Sequence, residues 1–279
     1  MRFTSILSSM ILLLGLSFQL SMAQGLTGRA FYKSSSQVKL QMDSSQMAPE
    51  QMAEIQAQLK KQMEREYVLS FTPIESNWKQ VESLGGGPAT ASSGGMTMVI
   101  NTGSEDRILY KNIAEQAYEQ EQDVMGKEFL IKDALEPAEW ELTGETKKIG
   151  NYNAQKATYS RIVDSQRFST GMTEMEKVKD TIQVVAWFTP DIPVPHGPEN
   201  FFGLPGLILE IQNSGRTLIC EKIELNPSAE PVAIIRPKRG KEVTREEFRT
   251  IQEDSMKQMM NRYQGKPGEG NQFTIRIGN

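Results

Sequence analysis

The chain has 279 residues but one cysteine, Cys220, and one histidine, His196. A lone thiol cannot close an internal disulfide, and a lone imidazole removes every metal site built on two or more histidines. Basic residues are not in excess: 31 Lys and Arg against 35 Asp and Glu leave a formal net charge of -4. That balance argues against nucleic acid as a partner, because phosphates need a cationic face. The catalytic signatures legible in a sequence are also missing. There is no G-x-S-x-G elbow, no H-E-x-x-H pair, and no Gly-Lys-Ser/Thr ending to the glycine clusters. No metal and no cofactor is expected on these grounds.

Long apolar runs are scarce as well, and the exception sits at the start. Met1-Arg2 precedes an apolar segment through Ile11, Leu12, Leu13, Leu14 and Leu16, followed by Ser21-Met22-Ala23-Gln24. Small residues at positions −3 and −1 place a cut between Ala23 and Gln24, so residues 1–23 read as a signal peptide. No later stretch is long and apolar enough to span a bilayer as a helix, so no transmembrane segment is expected after cleavage. The mature chain, 24–279, is expected to be one exported domain in the periplasm, with release outside the cell as the alternative. Cys220 lies in the strand-like run Thr217-Leu218-Ile219-Cys220-Glu221, where a buried, inert thiol is expected.

What the sequence does have is a dense apolar segment entered through a rigid bend. Leu204-Pro205-Gly206-Leu207 predicts a type II turn, with proline fixing the second position and Gly206 supplying a positive φ at the third. Leu207, Ile208, Leu209 and Ile211 then predict a strand buried on both faces, alternating only from Glu210 and Gln212. Asn213-Ser214-Gly215 predicts a hairpin into a strand over 216–225. Ahead of it, strands are expected over 152–163 and 181–188, joined by the polar run 164–180. A meander of shorter pieces is expected from Met96 to Lys132, with another near 139–142.

Two helices are expected. Met52, Ile55, Leu59 and Met63 recur at helical spacing after Pro49 and Glu50, between a strand over 28–41 and its partner near 67–78. Met42, Met47, Met52 and Met63 are read as core side chains, not a thioether metal site, since no histidine or cysteine accompanies them. Thr244 and Glu247 form a capping box that opens a C-terminal helix, with Phe248, Ile251, Met259 and Tyr263 near one face. The glycine-rich stretch 84–95 reads as a flexible loop and 265–279 as a loose tail. The basic run 236–241 reads as a solvated turn.

Around the bend, Ala186-Trp187-Phe188-Thr189-Pro190-Asp191-Ile192-Pro193, then Gly197-Pro198, then Phe202-Gly203-Leu204-Pro205-Gly206-Leu207-Ile208-Leu209 resemble the signature of the GLPGLI family. These are exported, Porphyromonas-type proteins of Bacteroidota. The resemblance implies an envelope protein whose genes often neighbour those of TonB-dependent outer-membrane receptors, and it carries no established activity. Phe129-Leu130-Ile131 and Lys147 to Tyr152 also look like family positions.

The expected architecture is α+β: a large, curved, antiparallel sheet, half-barrel-like, with both helices on its concave side, similar to periplasmic lipoprotein carriers. The proline-rich loop 189–202 is the candidate interaction surface, with Trp187, Pro193, His196, Gly197, Pro198, Phe202, Gly203, Leu204, Pro205, Gly206, Leu207 and Ile208 as its motif positions. The expected role is a non-enzymatic binding or accessory module with an outer-membrane partner. A carrier of a lipid or other hydrophobic ligand is the alternative. A hydrolase centred on His196, read as an exposed loop histidine, is a weaker one.

Overall fold

The computed structural model describes residues 25–36, 49–81, 89–93, 96–100, 107–167 and 176–264. Residues 1–23, read as a signal peptide, the expected cut at Ala23 and Gln24, Met42 and Met47, residues 84–88, and the stretch 265–279 lie outside the described residues. Strand β1 (Gly28–Ser36) buries alternate residues, with Ala30, Tyr32 and Ser34 turned to the core. It runs on through the serines, whose backbones pair with Arg216, Thr217 and Leu218 as regularly as any apolar residue. Two hairpins flank its partners: β2 (Arg65–Phe71) with β3 (Glu75–Gln80), and β12 (Leu207–Asn213) with β13 (Arg216–Leu225). The second hairpin turns at Ser214 and Gly215, both at positive φ (49° and 79°), which suits the right-handed twist of the strands it joins.

The remaining strands are β4 (Ala89–Ser93), β5 (Met96–Ile100), β6 (Ile108–Asn112), β7 (Ala117–Val124), β8 (Lys127–Ala134), β9 (Glu141–Ile149), β10 (Tyr152–Arg167), β11 (Glu176–Thr189) and β14 (Lys241–Val243). Twelve strands form one open sheet in the order β14-β8-β7-β6-β3-β2-β1-β13-β12-β11-β10-β9. Only β14, beside β8, is parallel to its neighbour. The dense apolar strand β12 is interior, between β11 and β13, as its two buried faces require. Most of the polar run 164–180 is strand, because β10 and β11 keep an unbroken register from Gln155↔Phe188 to Arg167↔Glu176. Ladder hydrogen bonds need no apolar side chains, so hydrophobicity hides such a ribbon.

The helices divide their work. Helix α2 (Arg245–Gln264) opens on the expected capping box: Thr244 N–H donates to Glu247 Oε2 at 2.8 Å and Glu247 N–H to Thr244 Oγ1 at 3.2 Å. It packs on the sheet through Phe248, whose ring is 5.7 Å from that of Phe129. Helix α1 (Pro49–Gln62) does not lie with it. Its buried stripe, Ile55 and Leu59, goes with a separate two-stranded sheet, β4-β5, and the Gln58 amide bonds both Ser92 N (3.2 Å) and Ser92 O (3.5 Å). Part of the stretch read as a loop is therefore that hairpin, which gives α1 a surface to cover.

The run 236–241 is solvated as read, exposed at every position but Pro237, yet its two guanidinium groups are paired. Arg236 pairs with Glu119 at 2.9 Å and Glu115 at 3.3 Å, and Arg239 with Glu121 at 3.2 Å. Upstream, the Asn77 side-chain amide bonds both the N–H and the carbonyl of Ile235. The segment straps the acidic side of β7 before entering β14, and its charges were legible only with Glu119 and Glu121 in view.

Side chains from distant strands meet over one face. Lys111, on β6, reaches carbonyls in the loop between β11 and β12, and the Trp140 indole N–H donates to Phe202 O at 2.9 Å. The Lys111 contact reaches from β6 past β3, β2, β1 and β13 to the loop before β12, so the sheet bends across its middle strands.

Strand β12 should therefore carry much of the stability. Leu209→Ala, at a site 1% exposed, should lower the unfolding free energy by about 2–5 kcal/mol in urea titration. Leu142→Ala, on the exposed edge strand β9 and 59% exposed, should change it by less than about 0.5 kcal/mol.

Candidate functional site

The proline-rich loop is built from two tight turns, each centred on a proline. Val194 N–H donates to Ile192 O and Gly206 N–H to Leu204 O, both at 2.8 Å, so Pro193 and Pro205 each occupy the middle of a three-residue γ-turn. The expected type II turn is thus replaced by a tighter one, and Gly206 has no positive φ. It is glycine for a different reason: a Cβ there would lie 2.1 Å from Thr189 O. The positive φ belongs to Gly203, at 91°, whose N–H donates to Pro195 O at 3.0 Å. Gly197 resembles Gly206 in role, since a Cβ would come within 2.7 Å of the Ile208 side chain.

Further hydrogen bonds fold the loop back on the strand it precedes. Leu207 N–H donates to Ile192 O (2.9 Å) and Ile208 N–H to His196 O (3.0 Å), while His196 and Phe202 form an isolated bridge. Most motif positions are consequently interior: Trp187, His196, Gly197, Pro198, Phe202, Leu204, Gly206, Leu207 and Ile208 are buried. Only Pro193, Gly203 and Pro205 among them are exposed. The motif shapes the core and presents little surface of its own. Trp187, on the interior strand β11, has the Lys147 ammonium 4.3 Å over its ring. Lys147 also pairs at 2.6 Å with Glu210, which is buried, so the expected outward alternation begins at Gln212 and not at Glu210.

Two buried titratable side chains hold the loop. Lys111 is fully buried, and its Nζ donates to Gly197 O (2.8 Å), Glu199 O (2.6 Å) and Phe201 O (3.2 Å). Three acceptors match the three hydrogens of an ammonium, whereas a neutral amine has two. Burial pulls the group down to about 7, and the Glu199 carboxylate opposes that shift. His196 is also fully buried, contrary to its reading as an exposed histidine, because the bridge to Phe202 turns it inward. Burial, and next the Lys111 charge, push it down to about 3; the Thr72 backbone opposes this weakly, and neither ring nitrogen has a partner at hydrogen-bonding geometry. With no hydroxyl or carboxylate on either nitrogen, the ring is not set up as a general base. Cys220 is buried and its thiol is pushed up to about 12 by that burial, so it is unreactive, as its strand position suggested.

Beside the loop lies a cleft of about 530 Å³. One wall is Glu199, Asn200 and Phe201, the part of the loop held by Lys111; another is 133–138, the end of β8 and the residues that follow it. The floor comes from β10, β12 and β13, through Tyr159, Ile211 and Leu218. Three guanidinium groups line it, Arg161, Arg216 and Arg245, contributed by β10, β13 and the first residue of α2. Arg216 is ion-paired to Glu199 and donates to the Tyr67 hydroxyl at 3.0 Å; Tyr67 in turn stacks on Trp78 at 4.8 Å. Tyr159 meets Trp140 edge-on at 4.7 Å, and Trp140 is 6.5 Å from Phe201. The candidate loop 189–202 includes Phe201 and Glu199, but none of Lys111, Arg161, Arg216 or Arg245 was singled out from the sequence. Nothing local marks them, since they become a set only when the sheet bends.

Residues 140–210 match the model of a family described as a protein of unknown function, Porph_ging. That span takes in β9, β10, β11, the loop and the start of β12, and so includes Tyr159, Arg161 and the Glu199–Phe201 wall of the cleft but neither Ile211 nor the β13 part of its floor. No curated protein matches the chain. Among solved structures it is similar to two crystal forms of PNGF-II, in space groups C2 and P21, each at 13% identity with a TM-score of 0.46. These matches cover 82% of this chain, and the chain spans about a third of theirs, 33% and 34%.

Lys111→Met keeps the length and removes the donors. It should cost about 3 kcal/mol or more in urea titration, because three buried carbonyls lose their partner. His196 should make itself felt through pH. Its folded value lies below the ordinary 6.5, so the unfolded chain binds the extra proton; the associated stability is complete above about pH 6.5 and is lost as pH falls toward about 3. Unfolding free energies at pH 6.5 and pH 4 should fall more steeply for the wild type than for His196→Phe, by up to about 1 kcal/mol per pH unit.

Proposed function

We propose that this protein is an exported, non-enzymatic binding module of the cell envelope, working alongside outer-membrane machinery, and that the cleft beside the motif loop is its ligand site. The observation that carries the reading is the cleft itself. Its volume, about 530 Å³, falls in the range of small-molecule and short-segment sites, and its lining mixes aromatic faces with convergent guanidinium groups. Support for export comes from the N-terminal leader, and for the envelope from the likeness of the 186–209 segment to exported proteins. Among the described residues no helix is long and apolar enough to cross a membrane, and no cluster of three or more potential metal ligands occurs.

The lipid-carrier alternative needs an apolar enclosure. Of the apolar residues around the motif that could line one, Trp187, Phe188, Phe201, Phe202, Leu204 and Leu207, only Phe201 lines the cleft and the others pack in the core, and the cleft carries charged groups. Binding of a partly polar ligand fits that arrangement better than engulfing a lipid chain.

Protein purified from envelope fractions of its native cells, examined by native mass spectrometry, should retain a bound molecule. Ala134→Trp, which fills the cleft from its 133–138 wall, should lose that mass while keeping the wild-type circular dichroism. A wild type with no adduct, or an adduct equally retained by the variant, would remove the cleft from the proposed role.

A further inference from the structure

The charges in the cleft are unevenly committed. On the acidic side, Asp133 Oδ2 accepts the Arg245 backbone N–H at 3.0 Å, and the Glu199 carboxylate is ion-paired to Arg216. The third acid, Glu136, is exposed. On the basic side, Arg245 donates from Nε to the Tyr118 hydroxyl at 2.7 Å and lies 4.7 Å over the Tyr118 ring. Its two terminal nitrogens take no partner among the described residues, and Arg161 makes neither a hydrogen bond nor an ion pair there. Two guanidinium groups therefore keep donors open toward the cleft, while Asp133 and Glu136 stay anionic: Asp133 has both oxygens on backbone N–H groups, of Ala134 at 2.8 Å and of Arg245, and Glu136 stands exposed.

Arg245 is also pre-organised. A guanidinium fixed by one edge and stacked on an aromatic ring presents its remaining edge in a fixed direction, which is the geometry of two-point carboxylate recognition. Between these groups the surface is apolar: Tyr159 and Phe201 are braced by Trp140, with Leu135, Ile211 and Leu218 beside them. A fully charged ligand would leave that surface wet, and a fully apolar one would bury the guanidinium groups without a counter-charge.

We propose that the cleft binds a small amphiphilic carboxylate, with the acid on Arg161 and Arg245 and the apolar body on Tyr159, Phe201 and Leu218. This rests on the cleft being the ligand site. An aliphatic acid and an aryl or C-terminal amino-acid carboxylate share the required chemistry, and the test separates them.

The full chain lacking only its leader is titrated calorimetrically with decanoate and with N-acetylphenylalanine, each beside its neutral methyl ester. At least one acid should bind, its ester about tenfold or more weaker, and Arg161→Gln should weaken the acid by about tenfold while Arg161→Lys restores part of it. Tighter decanoate identifies an aliphatic ligand, and tighter N-acetylphenylalanine an aryl or peptide terminus; either supports the proposal. An ester that binds as well as its acid, or an Arg161→Gln variant with unchanged affinity, would overturn carboxylate recognition while leaving a ligand site. Binding that survives Ala134→Trp would lie elsewhere and overturn it too. If no probe binds, acid or ester, the proposal falls for these ligands, and the retained-adduct measurement alone then decides whether the cleft is a site.

Discussion

A single buried ammonium holds the most unusual part of this molecule in place. Lys111 projects from β6 beneath the loop that joins β11 to β12 and donates to three of its carbonyls, at Gly197, Glu199 and Phe201. Loops normally run over protein surfaces because their backbone polar groups need water. Here a charged side chain replaces that water for three consecutive odd-numbered positions, and so the loop can be interior. The desolvation of the ammonium is offset only because each of its hydrogens meets an acceptor.

From that contact the cleft follows. Residues 199–201 become one of its walls because Lys111 fixes their backbone, and the Glu199 side chain is then aimed at Arg216 on β13. Arg216 continues the linkage through Tyr67 to Trp78, so the wall is tied to β2 and β3 as well as to the strands beside it. Trp140 closes the other side by bonding Phe202 O. A sheet bent in this way brings 133–138 opposite β10 and β13, and the space left between them is the cleft.

The motif is therefore best understood as architecture that shapes a cleft it does not itself line. Gly206 and Gly197 permit backbone approach, Pro193 and Pro205 set γ-turns, and Leu207 and Ile208 fill the core. Of the motif segment, the cleft uses only its neighbours Glu199, Asn200 and Phe201. The groups free to meet a ligand, Arg161 and Arg245, sit in β10 and at the start of α2, where sequence gives no hint of a partnership.

Local chemistry alone determined a good deal. Leu207, Ile208, Leu209 and Ile211 made β12 an interior strand, Asn213-Ser214-Gly215 its hairpin turn, and Thr244 with Glu247 the start of α2. Each of these depends on neighbours within a few residues, which a sequence displays directly. Where the reading departed from the structure, the deciding contact was distant. Gly206 answers to Thr189 O and not to a turn type; Arg236 and Arg239 answer to acids on β7; His196 is turned inward by the bridge to Phe202. The long ribbon of β10 and β11 was hidden for a related reason, since backbone pairing leaves no mark on side-chain hydrophobicity. The sequence by itself thus determined both helices and the apolar strands, through periodicity and turn chemistry, but not the polar ribbon or the β4–β5 hairpin. Only the tertiary structure decided which charges are buried, paired or left open, because that depends on how far the sheet bends and on what it brings across the fold.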